Sequence, residues 1–119
     1  MATHNEFGKK AEKMAVELLK SKGYDILEIN YFYDRAEVDI IAAINNRIVA
    51  VEVKARSSSF FGDPQSFVNK KKIKLMVKAM DFYLNENNID LETRFDIVAV
   101  VKNKDKYEIE HIEDAFYHF

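Results

Sequence analysis

With 119 residues, 48% of them hydrophobic and 13% aromatic, the chain holds apolar material for one core and no length for a second domain. Charged residues make up 32% and nearly balance at a net charge of -2, which excludes a globally basic polyanion binder, so any nucleic-acid contact has to come from a local patch. Zero cysteines exclude a disulfide framework and thiolate metal sites, and no apolar run approaches the ~20 residues a membrane helix needs.

The opening Met1-Ala2-Thr3-His4-Asn5-Glu6 has no apolar signal core, so a reducing, cytoplasmic setting with no membrane partner is expected. From Glu6 to Lys22 the residues Phe7, Ala11, Met14, Ala15, Leu18 and Leu19 recur at helical spacing, and Gly23 follows where a helix stops. Three strand-like runs come next: Tyr24 to Tyr33, Glu37 to Ile44 and Arg47 to Ala55, the last two rich in Val and Ile. A loop, Ser57 to Pro64, leads to a second helix of roughly four to five turns. Ile73, Met76, Val77, Met80 and Leu84 form one face of that helix, and Asn87-Asn88 ends it. Arg94 to Lys102 and Tyr107 to Ile112 read as two more strands around a charged turn, with Ala115-Phe116-Tyr117 as a closing aromatic segment. The expected fold is α/β, a single domain over residues 1–119 with elements in the order αβββαββ.

Asn45-Asn46 suits a two-residue type I′ turn, because Asn tolerates positive φ. If Ile44 faces Arg47, counting back pairs Ala43 with Ile48, Ile41 with Ala50, Asp39 with Glu52, and Glu37 with Lys54, all on one face. A one-residue slip would send Asp39 and Glu52 to opposite sides, so the charge pattern supports this register independently of the turn. The other face, Val38, Ile40, Ala42 and Ile44 with Val49, Val51, Val53 and Ala55, is apolar and should pack against a helix.

Directly opposed strand residues have β-carbons about 4.5 to 5.5 Å apart, and like charges placed so are destabilising. A divalent cation offsets the repulsion between Asp39 and Glu52, since Mg²⁺ is held by one or two carboxylates and fills its remaining positions with water and phosphate. With Lys54 beside them, the pair suits metal-assisted phosphodiester hydrolysis, Lys54 orienting the nucleophile or stabilising developing charge. In this register Glu37 is an outer partner of Lys54. Spacing alone also fits a solvated sheet end with a cross-strand ion pair.

Asp39 followed by Glu52-Val53-Lys54 resembles the core of the PD-(D/E)xK nuclease superfamily. Five further segments resemble the bacterial YraN family, an endonuclease-like group within it that is similar to archaeal Holliday-junction resolvases. They are Gly8-Lys9-Lys10-Ala11-Glu12, Glu37-Val38-Asp39-Ile40-Ile41, Val51 to Arg56, Arg94 to Val100, and Ile109-Glu110-His111-Ile112, so the likeness spans nearly the whole chain. It implies a restriction-endonuclease-like fold with a central mixed sheet flanked by helices, and a Mg²⁺- or Mn²⁺-dependent deoxyribonuclease. Asp39, Glu52 and Glu12 would be its metal ligands and Lys54 its catalytic lysine. It further implies DNA, branched or otherwise structured, as substrate, and a homodimer if the resolvase likeness extends that far. Ala36 stands where the family usually has Gly, and Val38 where the superfamily name has Pro.

Lys71, Lys74 and Lys78 fall on one side of the second helix, and Lys72, which matches a basic position of the family, flanks its apolar stripe. With Arg56 these lysines can track a phosphate backbone, though such a helix face is often merely solvated. Phe60 or Phe61, following the catalytic strand, either stacks on an unpaired base or anchors its loop. The three histidines, His4, His111 and His118, form no metal-ligand cluster; His111 reads as structural, as does a same-face Arg94-Asp96 ion pair. The function expected is thus metal-dependent cutting of DNA. The competing reading is a nucleic-acid-binding or protein-interaction module that keeps the fold without efficient turnover.

Overall fold

A computed structural model of the chain describes residues 2–57 and 69–115, with side chains from Glu6 onward. The expectations on the His4 side chain, on the loop over residues 58–64 with Phe60 and Phe61, and on Phe116, Tyr117 and His118 fall outside what the structure describes.

Helix α1 (Ala2–Ser21) ends at the expected glycine. Gly23, at φ 93, donates to the Lys20 carbonyl, and Tyr24 donates to that of Leu19. These bonds satisfy carbonyls that the helix end would leave bare, and the left-handed backbone suits a residue without Cβ. Strands β1 (Asp25–Tyr33), β2 (Ala36–Ile44) and β3 (Arg47–Ser57) follow. Then come α2 (Lys70–Glu86), β4 (Thr93–Asn103) and β5 (Lys106–Ile112). Helix α2 closes with the same two bonds, with Asn88 at φ 54 in the glycine's place. The order αβββαββ is therefore as expected, and it is compatible with a nuclease-like fold.

The five strands form one mixed sheet in the order β1-β2-β3-β4-β5. All neighbours are antiparallel except β3 and β4, which run parallel because the chain crosses over through α2 between them. The helices cover opposite faces. On one, Ala11, Ala15 and Leu19 of α1 pack on Ile40, Ala42, Val49, Val51, Val98 and Val100. On the other, Met76, Ala79, Met80 and Tyr83 of α2 pack on Val38, Ile41, Ile48, Ala50 and Phe95. Two alanines in the first contact let α1 lie close to the sheet, which brings its next residue, Glu12, to the edge of the core. Among the described residues no helix is long and apolar enough to cross a membrane.

The hairpin turn forms as expected, with Asn45 at φ 47 and Asn46 at φ 66. Ile44 with Arg47, Ala43 with Ile48, and Ile41 with Ala50 pair as the turn dictates. Beyond Ile40 and Val51 the ladder ends, so the expected pairs Asp39 with Glu52 and Glu37 with Lys54 do not form. In their place the backbone N–H of Val53 donates to Asp39 Oδ2 at 2.7 Å. A side-chain carboxylate has taken a strand's N–H, and the two strands diverge from there. Strand β3 continues beside β4 as far as Ser57 and Lys102.

The alternation of faces also breaks at this point. Val38, expected beside Ile40, packs with Ile41 against α2 while Ile40 packs against α1. In β1 the pairing passes from Ile29 with Ile40 to Tyr31 with Val38, and Asn30, opposite Asp39, has φ 55. A left-handed residue turns the strand over, so the sides of its neighbours no longer follow a strict period of two. Ala36 is buried against α2, and its φ is not positive, so the chain does without glycine there.

Candidate metal centre

The fork between β2 and β3 gathers acidic side chains from three elements. Asp39 lies at its apex and is 9% exposed. Glu37, two residues earlier, and the half-buried Glu12 from α1 join it, each offering a carboxylate oxygen within 4.8 Å of the others. Glu52 enters from β3 and is 2% exposed. A cleft of about 180 Å³, lined by Glu12, Asp39, Glu52, Lys54 and Arg56, opens on the group.

Two lysines meet on one oxygen of Glu52. Lys54 Nζ is 3.0 Å from Glu52 Oε2, and Lys72 Nζ, reaching across from α2, donates to the same atom. The other oxygen, Oε1, is buried and has no hydrogen-bond partner among the described residues. A buried carboxylate oxygen left without a partner is costly and calls for an explanation such as an ion.

Burial pushes the Asp39 carboxyl up to about 8, and the charges of Glu52 and Glu37 add to this, against the pull of the Val53 N–H and of Lys72. Glu37 is raised as well, by burial and then by Glu12 and Glu52. Burial pulls the Lys72 ammonium down, but its hydrogen bond and charge contact with Glu52 outweigh that and raise it. Asp39 and Glu37 thus hold their protons more tightly than ordinary carboxyls do. An all-oxygen set of carboxylates with one bare oxygen fits a hard divalent ion such as Mg²⁺ or Mn²⁺.

A stability trend follows from this. Asp39 titrates in the folded chain near 8 against an ordinary 3.8, so the native state binds the extra proton between those values. Stability falls with pH wherever the native state binds more protons, hence through roughly pH 4 to 8. Asp96 is shifted the opposite way and affects only more acidic solutions. The metal-free protein is expected to melt several degrees lower at about pH 8.5 than at about pH 6, with millimolar Mg²⁺ narrowing the gap. Melting curves in chelator that are flat across this range would contradict the buried-proton account.

The structure brings Glu12, Asp39, Glu52 and Lys54 together, and gives two of the expected residues different partners. Glu37 joins the carboxylates instead of meeting Lys54, whose partner is Glu52. The two-residue spacing of Glu37 and Asp39 was the signal for that grouping. Lys72, which the sequence marks only as a basic position of the family among phosphate-contacting lysines, belongs to the acidic centre, although it follows Glu52 by 20 residues and comes from the far face of the sheet. Lys71 and Lys74 are exposed on α2, and Lys78 pairs with exposed Asp34 at 3.4 Å. Arg56 Nη1 donates to the Ala55 carbonyl at 2.8 Å.

The expected Arg94-Asp96 pair is part of a larger buried network. Asp96, 0% exposed, accepts from Arg94 Nε at 2.9 Å, Arg94 Nη2 at 2.8 Å and the Asp114 N–H at 3.0 Å. His111 Nε2 lies 2.7 Å from the same carboxylate, which can only accept, so that nitrogen carries the proton. His111 Nδ1 meets Lys22 Nζ at 2.8 Å, and Arg94 Nη2 donates to the Tyr24 hydroxyl at 2.6 Å. These contacts tie the end of α1 to β4 and β5, so His111 is structural as expected. Hydrogen bonds from His111 and Arg94 outweigh burial and hold the Asp96 carboxyl below its usual range.

Known proteins are similar to this chain in sequence. The family described as "Uncharacterised protein family UPF0102" matches residues 11–100. A UPF0102 protein of Christiangramia forsetii is 56% identical over 119 residues, covering all of both chains. One of Flavobacterium psychrophilum is also 56% identical over 119 residues and all of both chains. A third, of Phocaeicola vulgatus, is 44% identical over 117 residues, 98% of this chain and 97% of the relative.

Proposed function

The chain belongs to the UPF0102 family, the YraN family its motifs resemble, and we propose that it is a metal-dependent endonuclease that hydrolyses phosphodiester bonds in DNA. The observation that carries this reading is the buried Oε1 of Glu52, without a hydrogen-bond partner among the described residues, beside a cluster of three more carboxylates and with Lys54 held 3.0 Å from Oε2 of the same side chain. Asp39 and Glu52 would hold a Mg²⁺ or Mn²⁺ ion with Glu12, and Glu37 lies close enough to share in the work. Such an ion, when bound, polarises a phosphoryl oxygen and makes water a nucleophile near neutral pH.

The chain's own residues supply the rest. Lys54, held on Glu52, is placed to orient the attacking oxygen or to stabilise the charge that builds on the phosphoryl oxygens. The Val53 N–H fixes Asp39 Oδ2, so the carboxylate keeps its orientation whether or not it is protonated. Arg56 beside the cleft and the exposed Lys71 and Lys74 can contact backbone phosphates, a mode that binds without reading bases.

The test is a panel of single-stranded, duplex, flap and four-way-junction DNAs, each incubated with the protein in Mg²⁺, in Mn²⁺ and in chelator. Metal-dependent cutting of at least one substrate is expected, together with a rise in melting temperature on adding metal. Binding across the panel without metal-dependent cutting would replace this reading with that of a binding module.

A further inference from the structure

Three consecutive lysines, Lys70, Lys71 and Lys72, open α2, and its first turn holds no acidic residue. A helix N-terminus is the end where the dipole and unpaired N–H groups disfavour positive charge. Asn69 caps the helix by accepting from the Lys72 N–H at 2.8 Å, which puts Lys72 at the third helical position. A capping box carries Glu or Gln there. Local helix energetics therefore give no reason for a lysine at this position, and its side chain supplies one by crossing to Glu52.

Glu52 already has a cation in Lys54, on its own strand, with a side chain only 14% exposed. Lys72 is the second cation on the same oxygen, and at 38% exposure it is the freer of the two. It also borders a recess of about 350 Å³ that Arg35, Glu37, Asn69 and Lys71 help to line. Its ammonium can thus face either the acidic centre or a neighbouring basic surface.

We propose that Lys72 is a tethered counter-cation, which balances Glu52 while no divalent ion is bound, yields Glu52 to the ion, and then meets a substrate phosphate from the adjoining recess. This rests on the metal-centre reading above. A divalent ion and two ammonium groups repel one another around one carboxylate, and the group with the most freedom leaves. The exchange couples the two ligands: the ion competes with Lys72 at Glu52, and the phosphate gains what Glu52 gives up.

The test measures Mn²⁺ affinity by calorimetry on the full chain, and DNA cleavage kinetics at saturating Mn²⁺. Lys72→Met is expected to bind Mn²⁺ about tenfold tighter than wild type, as removal of a direct competitor allows. Lys72→Gln, which keeps a donor without the charge, should behave likewise and guards against a folding defect in the first variant. Lys71→Met removes an exposed charge one residue away and should change Mn²⁺ affinity by less than about twofold, since solvent and salt screen it. With metal saturating, Lys72→Met should raise the KM for DNA with kcat held, the split that loss of a phosphate contact gives.

Mn²⁺ binding by wild type, with unchanged or weaker affinity in both Lys72 variants relative to it, would overturn the counter-cation and leave the metal centre standing. Equal tightening by Lys71→Met would reduce the effect to long-range charge and overturn it too. An unchanged KM would remove the phosphate contact. Wild type that binds no Mn²⁺ would bring down the metal centre and this inference with it.

Discussion

Asp39→Asn is expected to abolish metal-dependent cleavage, by about a thousandfold or more, while making the metal-free protein more stable in alkaline solution. Both effects come from the same atoms. Asparagine keeps an oxygen to accept the Val53 N–H, so the fork between β2 and β3 keeps its shape. It lacks the charge that burial and Glu52 penalise and that pushes the Asp39 carboxyl up to about 8. Above that value the folded wild type must carry a buried anion next to Glu52, and the variant need not. A gain of about 1–3 kcal/mol near pH 9 in chelator is expected, well below the full worth of the shift because the cleft admits water. The ion loses an anionic ligand from its centre and binds far more weakly. Single-turnover cleavage and melting in chelator measure the two effects separately. Cleavage at the wild-type rate would move the metal away from Asp39, whereas a variant less stable than wild type near pH 9 would refute the burial cost.

Asp96→Ala is expected to destabilise the fold by about 3–5 kcal/mol, the cost of leaving a buried partner charge unpaired. In a domain of this size that lowers the melting temperature by roughly 10–25 °C. The loss reaches every group that converges on the carboxylate: the Arg94 guanidinium, the His111 ring and the Asp114 N–H. Among the described residues Arg94 keeps only Tyr24 and, at 3.5 Å, the exposed Glu113. Combining Asp96→Ala with Arg94→Met should cost less than the sum of the two single changes, since removing both partners leaves no stranded charge. Strict additivity would show that Arg94 and Asp96 are not coupled. Because the Asp96 carboxyl is held below its ordinary value, its contribution is complete above the unfolded range near 3.8 and disappears as pH falls through the lower folded value. Wild type should therefore show an acid unfolding step that Asp96→Ala largely lacks.

Much of the architecture was legible before any coordinates because it depends on neighbours in the chain. Gly23 and Asn88 stop their helices, Asn45-Asn46 forms the hairpin turn, and the element order follows from hydrophobic periodicity. The register near the turn was legible for the same reason, and it holds for Ile44, Ala43 and Ile41. Counting failed at Asp39, where a carboxylate replaces a ladder acceptor and Asn30 on the adjacent strand reverses the pleat. A strict period of two describes a strand only while its backbone alone makes the hydrogen bonds. The expected metal pair, Asp39 facing Glu52 across a ladder, gives way to a cluster of Glu12, Glu37 and Asp39 beside Glu52.

The sequence by itself determined the succession of helices and strands, the hairpin turn, and the run of acids and lysine on which the resemblance to a family rests. These are local preferences or short patterns, readable wherever the chain's own spacing sets the outcome. Only the tertiary structure decided which charges meet: Lys72 on Glu52 rather than solvated with Lys71, and Asp96 joined to Arg94 of β4 and His111 of β5, which in turn hold Tyr24 and Lys22 just beyond α1. Such contacts depend on where the sheet ends its pairing and on how closely each helix packs over it. Both are set by burial summed over the whole core, which no short stretch of sequence contains.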